Sequence, residues 1–194
     1  VEQIEILAPE MEGILVSDFV YGVVSPRILE TIQRMAELYR LPLFGDIQCS
    51  SQIGNVSKFK NFALLCPTER EARIALGNRD DGIEYVANLL LEETQSSNLI
   101  IKLGAEGFIA YGRKDVDDFL HRQHFPALTV NPADVAGAGD AMLSIIALCL
   151  KSGFISELAI LTGSLAAAQS VETIGNKDIV SKKKILKTYE HLLK

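Results

Sequence analysis

Short apolar runs alternate with segments of helical periodicity through the first half of this chain, and that alternation narrows the fold more than any other feature. Gly13-Ile-Leu-Val-Ser-Asp18, Leu41 to Asp46, Asn61-Phe-Ala-Leu-Leu-Cys66 and Asn98-Leu-Ile-Ile-Lys-Leu103 are strand-length runs that end in polar or turn residues. Between them, Ser25-Pro26 opens a helix: serine caps and proline fits the first turn, and Ile28, Ile32, Met35 and Leu38 or Tyr39 follow at helical spacing. Thr68-Glu-Arg-Glu71 has capping-box spacing at the start of a helix that Gly77 stops. Asp81 to Thr94 carries Ile83, Val86, Ala87, Leu90 and Leu91 on one helical face. Strands separated by helices build βα units, so the expectation is an α/β fold, a three-layer α/β/α sandwich around a mostly parallel sheet.

The second half departs from that rhythm. Gly104-Ala-Glu-Gly107 separates the run ending at Leu103 from Phe108-Ile-Ala-Tyr111, close enough for an antiparallel hairpin. His121 to Phe125 and Leu128 to Val130 read as further strands, then Ala138 to Leu150, Ile155 to Val171 and Ser181 to Leu193 as helices. A length of 194 residues predicts one α/β domain over 1–194, and 48% hydrophobic with 23% charged residues predicts a folded one.

Composition excludes some functions. A net charge of −6 opposes nucleic acid, and Lys182-Lys183-Lys184 reads as a solvated helix face. The longest apolar stretch, Ala141 to Leu150, is too short to span a membrane, and no basic segment followed by an apolar one opens the chain. Cys49, Cys66 and Cys149 are odd in number and lack metal-ligand spacing, which predicts reduced thiols in a cytoplasmic protein; Cys66 and Cys149 read as small buried hydrophobes. His121 and His124 have alternate spacing but no third ligand, so they read as surface or cleft-edge residues.

The segment with most chemistry is Asp134-Val-Ala-Gly-Ala-Gly-Asp140, leading into a helix. Gly137 and Gly139 leave backbone N–H groups open, and the helix start adds its own unpaired N–H groups and positive dipole end, which together make an anion site. Asp140 in the first turn is stabilised as an anion and placed to accept a proton. Ordinary helix-start chemistry accounts equally well for a glycine turn followed by an aspartate. The segment is not a Walker A loop, since no Gly-Lys-Ser/Thr follows, and the Gly-x-Gly-x-x-Gly pattern of a nicotinamide-dependent dehydrogenase is absent.

Asp134 to Asp140 resembles the Asp-x-x-Gly-Ala-Gly-Asp signature of the ribokinase-like, or PfkB-type, carbohydrate kinases. Cys66-Pro-Thr-Glu-Arg-Glu-Ala72 is similar to that family's Pro-Asn-x-x-Glu-Ala segment, with Thr68 in place of Asn, and Lys102-Leu-Gly-Ala-Glu-Gly107 to its nucleotide loop. The resemblance covers nearly all of this chain and about the later two-thirds of a typical member; it implies a ribokinase-like fold lacking the N-terminal strands and lid. It implies that Asp140 is the catalytic base, with the amides of Gly137, Ala138, Gly139 and Asp140 as the anion hole. Asp134 would help bind a monovalent cation such as K⁺, and Glu71 would act near Mg²⁺. Lys102, Gly104 and Gly107 would border ATP, with Ser164 and the Gly175 loop extending the adenine pocket.

Leu15-Val-Ser-Asp-Phe-Val-Tyr-Gly22, followed by Val23-Val-Ser25, is similar to the Ser-Asp-Tyr-x-Lys-Gly-Val-Leu segment of the heptose-phosphate kinase branch, although Tyr21 stands where that branch has a Lys that the resemblance implies helps hold a substrate phosphate. The implied substrate is a sugar or sugar phosphate. Asp18 and Asp46 end strands, where open α/β sheets bind ligands, and Asp18 is the stronger substrate candidate of the two. Both residues read equally well as helix caps or turn formers. A homodimer, or a partner segment completing the fold, is also expected. The competing reading is a non-catalytic nucleotide-binding or regulatory module of the same fold.

Overall fold

The apolar run before Asp18 forms strand β1, Ile14–Asp18, and the next two runs form β2, Leu43–Ile47, and β3, Leu64–Leu65. The structure is a computed structural model that describes residues 1–48, 54–113, 122–129, 132–172, 174 and 180–192. β1, β2 and β3 pair parallel, with Ile14 beside Leu43 and Phe44 beside Leu64. β4, Asn98–Lys102, extends the parallel set, and β5, Phe108–Gly112, turns back antiparallel along it. With β6, Arg122–Phe125, the sheet has six strands in chain order.

Three of the expected strands differ in extent. The run from Asn61 pairs as a strand only at Leu64 and Leu65, yet the Ala63 and Cys66 N–H groups donate to the Leu43 and Gly45 carbonyls at 2.8 and 2.9 Å, so the backbone stays tied to β2. β2 begins at Leu43 rather than Leu41 because Pro42 has no N–H for the ladder. Leu128 and Thr129 are not in a strand; His121 and Val130 lie outside the described residues.

Seven helices are described. α1, Glu2–Leu7, buries none of its residues, which is why no apolar periodicity marks it in the sequence. α2, Pro26–Tyr39, starts at Ser25, whose Oγ accepts the Ile28 N–H. Its buried stripe is Leu29, Ile32, Met35 and Ala36, while Leu38 and Tyr39 are exposed. α3, Glu69–Leu76, has the full capping box between Thr68 and Glu71, and α4, Ile83–Thr94, buries Val86, Ala87, Leu90 and Leu91. α5, Ala138–Lys151, α6, Ser156–Ser170, and α7, Lys182–Leu192, follow as expected. Among the described residues, no helix is long and apolar enough to cross a membrane.

The chain divides into two compact units: Val1–Leu103 with Phe108–His124, and Gly104–Gly107 with Phe125–Lys194. In the first, β2 and β5 are buried along their whole length, as expected for strands covered on both faces. Phe59 and Phe62 stack there with ring centroids 4.9 Å apart, both fully buried. In the second, α5 buries Met142, Leu143, Ile146 and Ala147, and α6 buries Ala159, Ile160, Leu165 and Ala166. Ile185 of α7 packs with Leu165 and Ala166, and the Thr162 and Tyr189 hydroxyls lie 2.7 Å apart.

Phe62→Ala removes one ring of the stack and opens a cavity in the first unit's core. Its expected cost is about 3–5 kcal/mol, checked by urea unfolding of both proteins.

Candidate active site

In the first unit, the strand-end carboxylates set the chemistry. Asp46, near the carboxyl end of β2, is fully buried, and its Oδ2 accepts from Lys102 Nζ at 2.5 Å. Lys102 ends β4 with 17% of its side chain exposed. It is therefore not a solvated lysine. The Ile47 N–H donates to Asp46 Oδ1 at 2.9 Å, so both carboxylate oxygens have partners. Glu71 is also buried: its Oε2 accepts the Thr68 N–H at 2.7 Å, while its own N–H donates to Thr68 Oγ1 at 3.2 Å. Threonine does the capping work that asparagine would do at this position.

These groups perturb one another. Burial raises the Asp46 carboxyl to about 6, against the pull of Lys102, and the Glu71 charge adds to the rise. Burial disfavours the Lys102 ammonium, but the charge and hydrogen bond of Asp46, with Cys66 and Glu71, outweigh it and hold Lys102 above its ordinary value. Burial pushes the Cys66 thiol up, and the Asp46 charge pushes it further, so Cys66 is an inert protonated thiol, as expected of a buried small hydrophobe. Cys149 is partly buried, also with a thiol raised by burial. Cys49 lies outside the described residues.

Asp18 ends β1 and is likewise buried. Its Oδ1 accepts the Val20 N–H at 2.9 Å, and its Oδ2 is ion-paired with Lys58 Nζ. Val20 has φ +61°, an unusual conformation for a β-branched residue that costs on the order of 1–3 kcal/mol. The Asp18 hydrogen bond and the packing of the Val20 side chain against the core hold it there. Asp18 is thus a turn former and an ion-pair partner at once. Lys58 follows no hydrophobic period, so sequence reasoning missed it; the signal was the strand-end aspartate, which needs a counter-charge when buried.

The second unit holds the glycine loop. Gly137 caps α5 with φ +79°, a conformation open to glycine at little cost, and Ala138, Gly139 and Asp140 form the first helical turn. The Asp134 Oδ1 accepts the Ala136 N–H at 3.0 Å, and the Ala133 and Asp134 N–H groups donate to the Val171 carbonyl at the end of α6, at 2.8 and 3.3 Å. The loop is therefore anchored before it enters α5. Asp140 is half-buried in that first turn. Ser164 on α6 is buried, with its Oγ lacking a hydrogen-bond partner among the described residues.

Gly104 and Gly107 bound a single 3-10 turn, both at positive φ. A Cβ at Gly107 would fall 2.0 Å from the Phe125 carbonyl oxygen, so the close passage of 125–127 requires glycine there. Gly175 lies outside the described residues, and His124 is exposed. Asp18, Asp46, Glu71 and Lys102 thus belong to the first unit, and Gly104, Gly107, Asp134, Gly137 to Asp140 and Ser164 to the second.

A carboxyl raised in the fold adds stability that is fully present below its unfolded value of 3.8 and is lost as pH rises through about 6. Wild type is therefore expected to lose stability relative to Asp46→Asn across that window. Urea unfolding of both proteins at a series of pH values checks the sign.

The chain is 32% identical over 168 residues to the bifunctional protein HldE of Campylobacter fetus subsp. fetus (strain 82-40), covering 85% of this chain and 34% of that protein. It is 33% identical over 166 residues to the bifunctional protein HldE of Campylobacter concisus (strain 13826), covering 84% and 33%. The chain thus spans about a third of the curated relatives it matches. Phosphofructokinase-2 from Escherichia coli, in a crystal structure with potassium, superposes with a TM-score of 0.77 at 17% identity, over 100% of this chain and 62% of that one. Ribokinase from Thermotoga maritima does so with 0.73 at 24%, over 94% and 58%. These likenesses show a ribokinase-like α/β fold. With residues 8–183 matching the description "pfkB family carbohydrate kinase", this chain belongs to the pfkB family of carbohydrate kinases.

Proposed function

We propose that the chain carries the nucleotide-binding and catalytic part of an ATP-dependent kinase that transfers the γ-phosphoryl group to a hydroxyl of a sugar or sugar phosphate. The observation that carries this reading is the start of α5: a left-handed Gly137, two small residues and Asp140 in the first turn. Helix-start N–H groups of this kind stabilise charge on a phosphoryl group in transfer. Asp140 takes the proton of the acceptor hydroxyl as its oxygen attacks the γ-phosphorus and the bond to the ADP oxygen breaks.

Lys102 supplies positive charge toward the nucleotide phosphates, and Asp46 holds its ammonium. The Ser164 Oγ is a buried hydroxyl that fits a hydrogen bond to a nucleotide base. Among the described residues no cluster of three or more His, Cys, Asp and Glu side chains could hold a metal ion. Mg²⁺ is commonly held by one or two carboxylates and substrate phosphates, and Glu71 is the carboxylate assigned to it in this reading. When bound, Mg²⁺ neutralises charge on the phosphate oxygens. Asp134 would serve a monovalent cation such as K⁺, although its Oδ1 already closes a turn. Asp18 is the residue assigned to the acceptor in this reading, and the likeness of Leu15 to Ser25 to heptose-phosphate kinases supports a heptose phosphate among the acceptors.

A second reading, nucleotide binding without transfer, is favoured by the Lys102–Asp46 pair, which neutralises the cation offered to the phosphates. Asp140→Asn separates the two. The kinase reading expects ATP affinity to be kept and phosphoryl transfer to a sugar panel to fall by roughly a hundredfold or more, measured as ADP formed per acceptor. Turnover equal to wild type removes Asp140 from the base role. Wild type that binds ATP but phosphorylates no acceptor supports the second reading.

A further inference from the structure

Beside the buried Asp18 lies an open cleft of about 350 Å³ lined by Asp18, Val20, Tyr21, Gly22, Val24 and Lys58. That size falls at the small end of ligand pockets. Lys58 enters from outside β1, forty positions along the chain from Asp18, and a third of its side chain remains exposed. An ammonium has three donors, and the bond to Asp18 uses one. Tyr21, 65% exposed, offers an aromatic face and a hydroxyl on the same cleft.

We infer that Lys58 and Asp18 act together as a donor–acceptor pair for two neighbouring hydroxyls of the acceptor sugar, with Tyr21 covering its apolar face. The inference rests on the kinase reading and names the acceptor chemistry of its Asp18 side. Charge decides the ligand class. The pair is neutral as a unit, so an anionic group gains from Lys58 and loses to Asp18. A diol loses nothing: one oxygen accepts from the ammonium and one hydroxyl donates to the carboxylate. The left-handed Val20, bonded to the same carboxylate, fixes the cleft wall before any ligand arrives. Lys58 is thereby a specificity residue for hydroxyls, and the Lys that Tyr21 replaces in the heptose-phosphate kinase pattern is not restored as a phosphate ligand.

The test measures binding of fructose, mannose and fructose 6-phosphate to the 194-residue chain by ligand-observed NMR, with ATP titrated in parallel. Lys58→Met is expected to weaken all three sugars by the same factor, about tenfold or more, and to leave ATP affinity unchanged. Because that variant strips a buried carboxylate of its partner, Tyr21→Ala, an exposed change, provides the second arm; it too is expected to weaken the three sugars in parallel. Unchanged sugar binding in both variants overturns the inference. So does a loss confined to fructose 6-phosphate, which makes Lys58 a phosphate ligand. ATP binding without any sugar binding overturns the cleft alone, and failure to bind either ligand takes down the kinase reading with it.

Discussion

A buried carboxylate near the end of a central parallel strand organises the first unit. Asp46 has no access to water, and an uncompensated charge there would cost several kcal/mol. Lys102 answers it from β4, and since β3 lies between β2 and β4, the ion pair bridges three strands at their carboxyl ends. The Lys102 N–H donates to the Pro67 carbonyl at 2.9 Å, one residue before the cap of α3. Lys102 therefore ties the strand ends to the start of α3, its side chain through Asp46 and its backbone through Pro67, and the Thr68 capping box places Glu71 there. Apolar residues of similar volume can equal such a pair in stability, so stability alone does not account for it.

The elements that could be read from sequence are those whose burial leaves a period. α4 shows its buried stripe directly, and β1 and β4 are apolar runs of strand length. Thr68 and Glu71 were legible because a capping box needs only residues three apart. α1 was not legible, because none of its residues is fully buried and only Ile4 packs partly against the core, which leaves no stripe to show. The face of α2 was read too far along at its C-terminal end, since Ala36 is buried while Leu38 and Tyr39 are exposed, and Leu29 is buried beside the partly buried Ile28. Periodicity alone does not say which side of a wide apolar stripe meets the core.

Pairs that join distant positions were the illegible part of the candidate site. The local pattern marks Asp18 and Asp46 as strand ends but does not supply their partners, since Lys58 and Lys102 lie forty and fifty-six positions away. Lys102 belonged to a recognisable loop and was singled out with a different role. Lys58 belonged to none, because its segment is a single 3-10 turn whose neighbours Val56 and Phe59 are core residues. The strain at Val20 was equally silent, as valine there is an ordinary residue until the backbone places it at positive φ.

The second unit handles charge by another means. The anion site proposed for it would use backbone N–H groups at the start of α5, where Gly137 is left-handed and residues 133 and 134 are anchored to Val171, and would need no side-chain cation. The first unit instead depends on side chains, and Asp46 changes charge near pH 6. Each arrangement suits its neighbours. Lysine and aspartate at strand ends can be buried only as pairs, whereas a helix start offers N–H groups that its own geometry leaves for a ligand. The glycine loop was legible because its conformation is local, a left-handed Gly137 at a helix start, and the paired charges were not because each pair is made by tertiary contact.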